Sequence, residues 1–290
     1  MGNEDFVEVW NWVLEAGDQI LAIYQTDFAV KDKGGNDPVT EADLLASEFL
    51  QKKISERFPK HGFLSEEIRD NSDRLDKEWV WILDPIDGTR EFVKKNDQFA
   101  LSLGLVRNGT PVWGVIFNPA TGEFFSKLDS TFFIKLTPPF FTAENLEKIL
   151  LTSKSVFSHE DIDFGKEHKP ILNVSYSEMK EGLFEDSFWK DGFEIKAMGS
   201  IAYKLGLLSA GHVDLIVSLK PKNEWDICGG ISLLDEENFK YFPLKKDSNY
   251  SFNRKDTKSF GLVAGNKKAV GYLEKLVSIS TLSERVKDKW

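Results

Sequence analysis

Five large apolar residues in a row, Trp79-Val-Trp-Ile-Leu83, constrain this 290-residue chain more than any other segment. The run is short, rich in strand-favouring side chains and closed by Asp84-Pro85, so it reads as a buried strand that stops where proline removes a backbone donor. Apolar runs at 99–106 and 112–117 follow, joined through Asn108-Gly109, and a turn at Thr121-Gly122 leads to Phe124-Phe125. Asn-Gly between apolar runs is hairpin chemistry. These segments are therefore successive antiparallel strands of one sheet.

Ahead of that sheet, Phe6, Trp10, Val13, Gly17, Ile20 and Tyr24 recur at helical spacing within 4–24, which predicts a helix packed by one face. Lys31 to Asn36 is a loop, and a second helix runs from Thr40 to about Phe58 with Leu45 and Phe49 inward. The stretch 126–170, with mixed charge and Pro138-Pro139, yields no readable element. Beyond it strands at 171–175, 193–197, 213–219 and 261–264 alternate with helices at 200–210, 226–237 and 267–278. Such alternation builds an α/β layer structure. The expected organisation is an α+β lobe with an antiparallel sheet at 1–150, packed on an α/β lobe at 151–290. A length of 290 residues, at the upper edge for one core, agrees with two lobes.

Lys and Arg total 37 against 47 Asp and Glu, a net charge of −10. That balance disfavours nucleic acid polymers and anionic membranes as partners, because both are held by excess cations. At face value it also disfavours a small anionic substrate. Cys228 is the only cysteine, so no disulfide framework exists and a cytoplasmic location is expected. Met1 to Phe6 is acidic where a signal peptide is basic, and Phe6 stands where a myristoylation pattern needs Ser or Thr. No apolar run approaches the roughly 18 residues of a membrane span. Cys228 has no readable histidine partner and reads as a small packed residue. His61, His159, His168 and His212 show no zinc spacing and read as structural or surface residues.

The chemistry concentrates in Asp84-Pro-Ile-Asp87-Gly-Thr89, where two carboxylates follow the buried strand and Gly88-Thr89 open a helix. Hard cations such as Mg²⁺ take oxygen ligands, and free N–H groups at a helix start favour phosphate. Turn formation explains the same residues without function. Three other acidic fragments have equally plain readings. Thr40 and Asp43 fit a capping box. Glu66-Glu67 after Phe63-Leu-Ser fits a solvated helix start, and Asp226 in Trp-Asp226-Ile-Cys-Gly-Gly230 fits an N-cap.

In this order and spacing the fragments resemble the inositol monophosphatase superfamily of Mg²⁺-dependent, often Li⁺-sensitive phosphomonoesterases, across about 37–230. The resemblance implies a layered αβαβα sugar-phosphatase fold and two or three Mg²⁺ ions. Glu66, Asp84 and the Ile86 carbonyl would hold the first ion; Asp84, Asp87 and Asp226 the second. A third ion would touch Glu66 near the loop at 31–36. Thr89, oriented by Asp43, would activate water, and the Gly88 and Thr89 amides would grip the phosphate, with Glu67 just behind the ligands. Independently of the family, two cations sharing a carboxylate suit an in-line displacement at phosphorus.

Substrate features are divided. Ser65-Glu66-Glu67 departs from the Gly-Glu-Glu of inositol monophosphatases and, with Thr89-Arg90-Glu91-Phe92, looks like the 3'(2'),5'-bisphosphate nucleotidase branch. The inositol enzymes carry a substrate-contacting Glu seven residues before the last metal Asp, where this chain has Leu219. Gly199-Ser200-Ile-Ala-Tyr-Lys204 keeps the inositol-type spacing, although Lys204 is similar to the nucleotidases. Gly199, Ser200 and Lys204 are expected substrate contacts, and Arg90, if it faces the cleft, a partner for a second phosphate. The expected substrate is a small phosphorylated metabolite, 3'-phosphoadenosine 5'-phosphate or another nucleotide 2'- or 3'-phosphate. The alternatives are an inositol or broad sugar phosphatase, a fructose-1,6-bisphosphatase and a non-catalytic binder of the same fold. A homodimer is compatible with the family.

Overall fold

The computed structural model describes residues 1–32, 38–154, 163–165, 168–244 and 249–286. The run at Trp79 is one strand, Trp79–Asp87, second in a six-stranded sheet. Its neighbours in order are Gly62–Ser65, then on the other side Ala100–Arg107, Thr110–Asn118, Glu123–Lys127 and Thr131–Lys135. The first pair is parallel and the rest are antiparallel. A second sheet of five strands runs in the order Glu194–Ala197, Ile171–Val174, Leu215–Ser218, Leu262–Asn266 and Phe239–Phe242, the first three parallel and the last two antiparallel to their neighbours.

Strand alternation sorts the side chains into layers. Trp81 and Leu83 enter a core with Trp10, Val13 and Ile20 of helix Asn3–Tyr24 and Leu50 and Ile54 of helix Glu41–Arg57. From the opposite face Val80 and Ile82 meet Leu205 of helix Ile201–Ser209 and Ile227 of helix Glu224–Ile231, together with Ile216 and Leu262 of the second sheet. Leu215, Val217 and Val263 point away from them onto Trp189 and onto Val270 and Leu273 of helix Lys267–Leu276. The result is the αβαβα layering.

The central layer is thin for a reason legible in three glycines. Gly104 and Gly114 are cross-strand partners, and the Cys228-Gly229 turn of helix Glu224–Ile231 lies directly on them. A Cβ on Gly104 would stand 2.5 Å from Cys228 Sγ, and one on Gly114 would collide with Ser232 Oγ and the Gly229 carbonyl. Cys228 is a buried packing residue at this contact.

Several expectations are corrected. Leu45 is 45% exposed rather than inward, because the buried face of its helix is Ala42, Ala46, Leu50 and Ile54; Phe49 packs half-buried at the edge of the same core. Residues 62–65 form a strand parallel to Trp79–Asp87, not a solvated helix start. The helix expected at 226–237 spans Glu224–Ile231, stopping where Ser232 Oγ donates to the Gly229 carbonyl. Its N-cap is Asn223, and Asp226 is the acid one turn in that closes the capping box. Within 126–170 the structure has strand Thr131–Lys135 and helix Ala143–Thr152, whose Ile149 enters the first core. The loop at 31–36 lies largely outside the described residues, as do Asp37 and His159. Among the described residues, no helix is long and apolar enough to cross a membrane.

Candidate active site

Two carboxylates three residues apart face opposite sides of a regular strand, since side chains alternate with a period of two. Strand Trp79–Asp87 solves this with an irregularity: its register against Ala100–Arg107 shifts between Asp84 and Asp87. A bulge of that kind re-aims side chains, and both acids line one cavity. Gly88 then takes φ +93°, and a Cβ there would stand 2.9 Å from the Gln98 carbonyl, so glycine is required where the chain turns into helix Thr89–Val93.

The cavity measures about 600 Å³. Its lining includes Glu66, just past strand Gly62–Ser65, with Asp84, Asp87 and Asp226. Asp84, Asp87 and Asp226 are each positioned by donors of the protein. Ile86 N–H donates to Asp84 Oδ1 at 3.1 Å, and Asn223 N–H to Asp226 Oδ2 at 2.8 Å. Asp87 Oδ2 accepts from Ser200 Oγ and from the Ala202 amide, both at 2.6 Å, so an acid of the first sheet caps a helix packed between the sheets. Burial, then the charges of Glu66, Asp87, Asp226 and Asp43, push the Asp84 carboxyl well above the ordinary carboxylate range. Burial and the Asp87 charge push Asp226 up to about 8. Asp87 is also raised by burial, against the pull of its bonds to Ser200 and Ala202 and the charges of Lys204 and Lys222.

Beneath the acids lies a hydroxyl relay. Asp43 is buried, and its Oδ2 accepts from Thr40 N–H at 2.8 Å and Thr40 Oγ1 at 2.6 Å. Its other oxygen, Oδ1, faces Thr89 Oγ1 at 3.3 Å, which is also 3.0 Å from the Ile86 carbonyl. The capping reading of Thr40 and Asp43 is therefore correct, and it leaves one carboxylate oxygen to serve Thr89.

Five cationic side chains share the cavity. Arg90, Lys94, Lys180, Lys204 and Lys222 line it. Lys204 is 2% exposed and donates from Nζ to the Met198 carbonyl at 3.2 Å; burial lowers its pKa to about 8, against the Glu178 charge. Gly199 and Ser200 line the cavity too, with the Gly199 amide donating to Gln98 Oε1 at 2.9 Å. Glu67 is half-buried beside the cavity, its N–H toward Ser65 Oγ. Lys94, Lys180, Lys222 and Tyr176 are cavity residues that sequence reasoning missed. Only Lys222, four residues before Asp226, carried a signal close to a recognised motif. Two of the histidines are engaged elsewhere: Trp81 Nε1 donates to His61 Nδ1, and His212 packs edge-on to Phe133.

The donor set fits divalent cations. The acids are oxygen ligands in a cluster whose crowding favours protonation, and a hard cation relieves the same repulsion. As the side chains stand, no three acidic, histidine or cysteine groups among the described residues form a ready-made ion cage.

A layered fold with this cavity at the meeting of its two sheets defines the class, an αβαβα phosphatase. The inositol monophosphatase family model matches residues 5–281, and the chain belongs to that family; it is a phosphoric monoester hydrolase. Among its relatives is the 3'(2'),5'-bisphosphate nucleotidase CysQ of Haemophilus influenzae, 30% identical over 249 residues that cover 84% of this chain and 85% of the relative. Inositol monophosphatase 3 of Solanum lycopersicum is 28% identical over 226 residues, 77% of this chain and 79% of that one. The crystal structure of CysQ from Bacteroides thetaiotaomicron superposes with a TM-score of 0.74 at 26% identity, covering 91% of this chain and 98% of its own.

Proposed function

We propose that the chain is a divalent-metal-dependent nucleotidase that removes the 2'- or 3'-phosphate of a nucleoside bisphosphate, with 3'-phosphoadenosine 5'-phosphate as the representative substrate. The observation that carries this reading is a cavity that joins four carboxylates to five cationic side chains. Glu66, Asp84, Asp87 and Asp226 line it together with Arg90, Lys94, Lys180, Lys204 and Lys222, and the charges of Lys204 and Lys222 reach Asp87. An inositol monophosphate or simple sugar monophosphate has one dianion to place. A nucleoside bisphosphate has two, and one phosphate can rest on cations while the other is cleaved among the acids. The cavity volume of about 600 Å³ is within the range of nucleotide-sized ligands. Leu219, where the inositol enzymes would place an acid, is buried at 4% exposure and offers no carboxylate to a sugar hydroxyl.

Glu66, Asp84, Asp87, Asp226 and the Ile86 carbonyl would hold Mg²⁺. When bound, the ions supply neutralisation of phosphate charge and a water acidic enough to attack at neutral pH. The chain's own contribution is to take that water's proton. Thr89 Oγ1 can accept it while donating its own to Asp43 Oδ1, 3.3 Å away. The amides of Gly88 and Thr89 orient the phosphate. Ser200 and Ala202 hold Asp87 still, so that the second acid of the pair does not swing away as charge redistributes.

The test is phosphate release from 3'-phosphoadenosine 5'-phosphate, NADP, inositol 1-phosphate and fructose 1,6-bisphosphate across a Mg²⁺ titration. The bisphosphonucleotide is expected to give the highest kcat/KM, with activity absent without Mg²⁺ and lost in Asp84→Asn. Preference for inositol 1-phosphate overturns the substrate; activity that survives chelation or Asp84→Asn overturns the metal assignment.

A further inference from the structure

We propose that Tyr176 is the platform on which the base of the substrate nucleoside lies, and that Glu178 is the positioning residue that holds it there; this rests on the nucleotidase reading above. Tyr176 begins helix Tyr176–Lys180, is 44% exposed and lines the cavity. Among the described residues no hydrogen bond or ring contact involves its side chain. A large ring left half open in a cavity that also holds five cationic side chains is poorly placed for stability and well placed for a flat aromatic ligand, because every nucleobase presents a π-face.

Helical geometry explains how the ring is presented. Residues advance about 100° each, so Tyr176 and Lys180, four apart, share one side of the helix, and Glu178 points to the other. Tyr176 and Lys180 accordingly both line the cavity, while Glu178 is fully buried. The Glu178 carboxylate accepts five hydrogen bonds from two separate segments. Oε2 takes Ser175 N–H at 3.3 Å and Ser175 Oγ at 2.6 Å. Oε1 takes Ser218 Oγ at 2.9 Å, Leu219 N–H at 2.7 Å and Lys220 N–H at 3.0 Å. Lys220 Nζ also pairs with Glu181 at the end of the same helix. The helix is thus pinned to the end of strand Leu215–Ser218, and the segment that supplies the pins continues into Lys222, which lines the cavity. One rigid wall therefore presents an aromatic ring and two ammonium groups together. That is the complement of a base and a phosphate on one ribose, and a ring ordered before binding costs no ordering on binding.

The experiment is steady-state kinetics of the full chain with Mg²⁺ on two substrates: 3'-phosphoadenosine 5'-phosphate, and its abasic analogue with both phosphates and hydrogen in place of adenine. Tyr176→Ala is expected to raise KM for the nucleotide about tenfold with kcat within about twofold, leave KM for the analogue unchanged, and be rescued by Tyr176→Phe, which keeps the ring. Glu178→Gln, with one acceptor oxygen replaced, is expected to raise KM for the nucleotide more than for the analogue, since it loosens Tyr176 together with Lys180 and Lys222. Tyr176 is exposed, so its replacement tests the platform even if Glu178 variants misfold. Equal KM changes on both substrates, or no change on either, overturn the platform while the nucleotidase reading stands. Failure of the wild-type chain to hydrolyse either bisphosphate, with another phosphomonoester turned over, overturns both.

Discussion

Thr89 shows how far a single residue's role depends on its surroundings. Its hydroxyl has no unusual reactivity, yet it sits 3.3 Å from a buried carboxylate oxygen and beside Asp84 and Asp87. Thr89→Ala is expected to lower kcat at least about 100-fold, the low end of what a positioned proton acceptor contributes. Thr89→Ser, which keeps the hydroxyl, is expected to retain most of the rate; if Ser and Ala are equally impaired, the methyl group and not the hydroxyl matters. At this scale the acids were legible only through their order along the chain, because each fragment alone reads equally well as a turn or a cap. Tyr176 and Glu178 were not legible. Val-Ser-Tyr-Ser-Glu-Met-Lys, 174–180, reads as ordinary capped helix, and only the fold shows which side of it meets the cavity.

Among the elements, helix Glu224–Ile231 is the one whose placement matters most, since it carries Asp226 to the cavity. The Gly104–Gly114 pair lets it approach the sheet closely. Gly104→Ala is expected to cost about 1–3 kcal/mol, the usual penalty of overpacking a filled core, read as a shift of the urea midpoint without a change in m. An unchanged midpoint would mean that the helix backs away freely and that the contact does not set its position. Helix and strand existence followed from periodicity, whereas ends and facings did not. Leu45 illustrates the limit: its one-residue neighbours Leu44 and Ala46 fit competing faces, and the partner surface chose the alanines.

For the whole molecule, the cost of assembling the site is a matter of charge. Asp226 rises from 3.8 to about 8 on folding, so the folded chain holds a proton that the unfolded chain has released across that interval. Stability from this group is complete below pH 3.8 and is lost as pH rises toward about 8. Asp84 and Asp87 shift in the same direction. Mg²⁺ must displace those protons, so in thermal melts it is expected to raise Tm more at pH 8 than at pH 5. At about 100 times its Kd the ion is worth about 2.7 kcal/mol. An equal Mg²⁺ effect at both pH values, or none, would falsify the assignment of these acids as its ligands. The net charge of −10 misleads for the same reason: it counts the acids but not the cations proposed for them, nor the lysines gathered in the same cavity.

The sequence by itself determined the family, the layered class of fold and the acids, since oxygen ligands, turns and buried strands depend on local residue chemistry and short spacing. Only the tertiary structure decided which lysines share a cavity with the acids, that Asp87 caps a helix 113 residues later in the chain, and that Tyr176 and Lys180 share a wall. Those relations join segments distant in sequence, and packing of two sheets across a thin helical layer sets them, which no local pattern encodes.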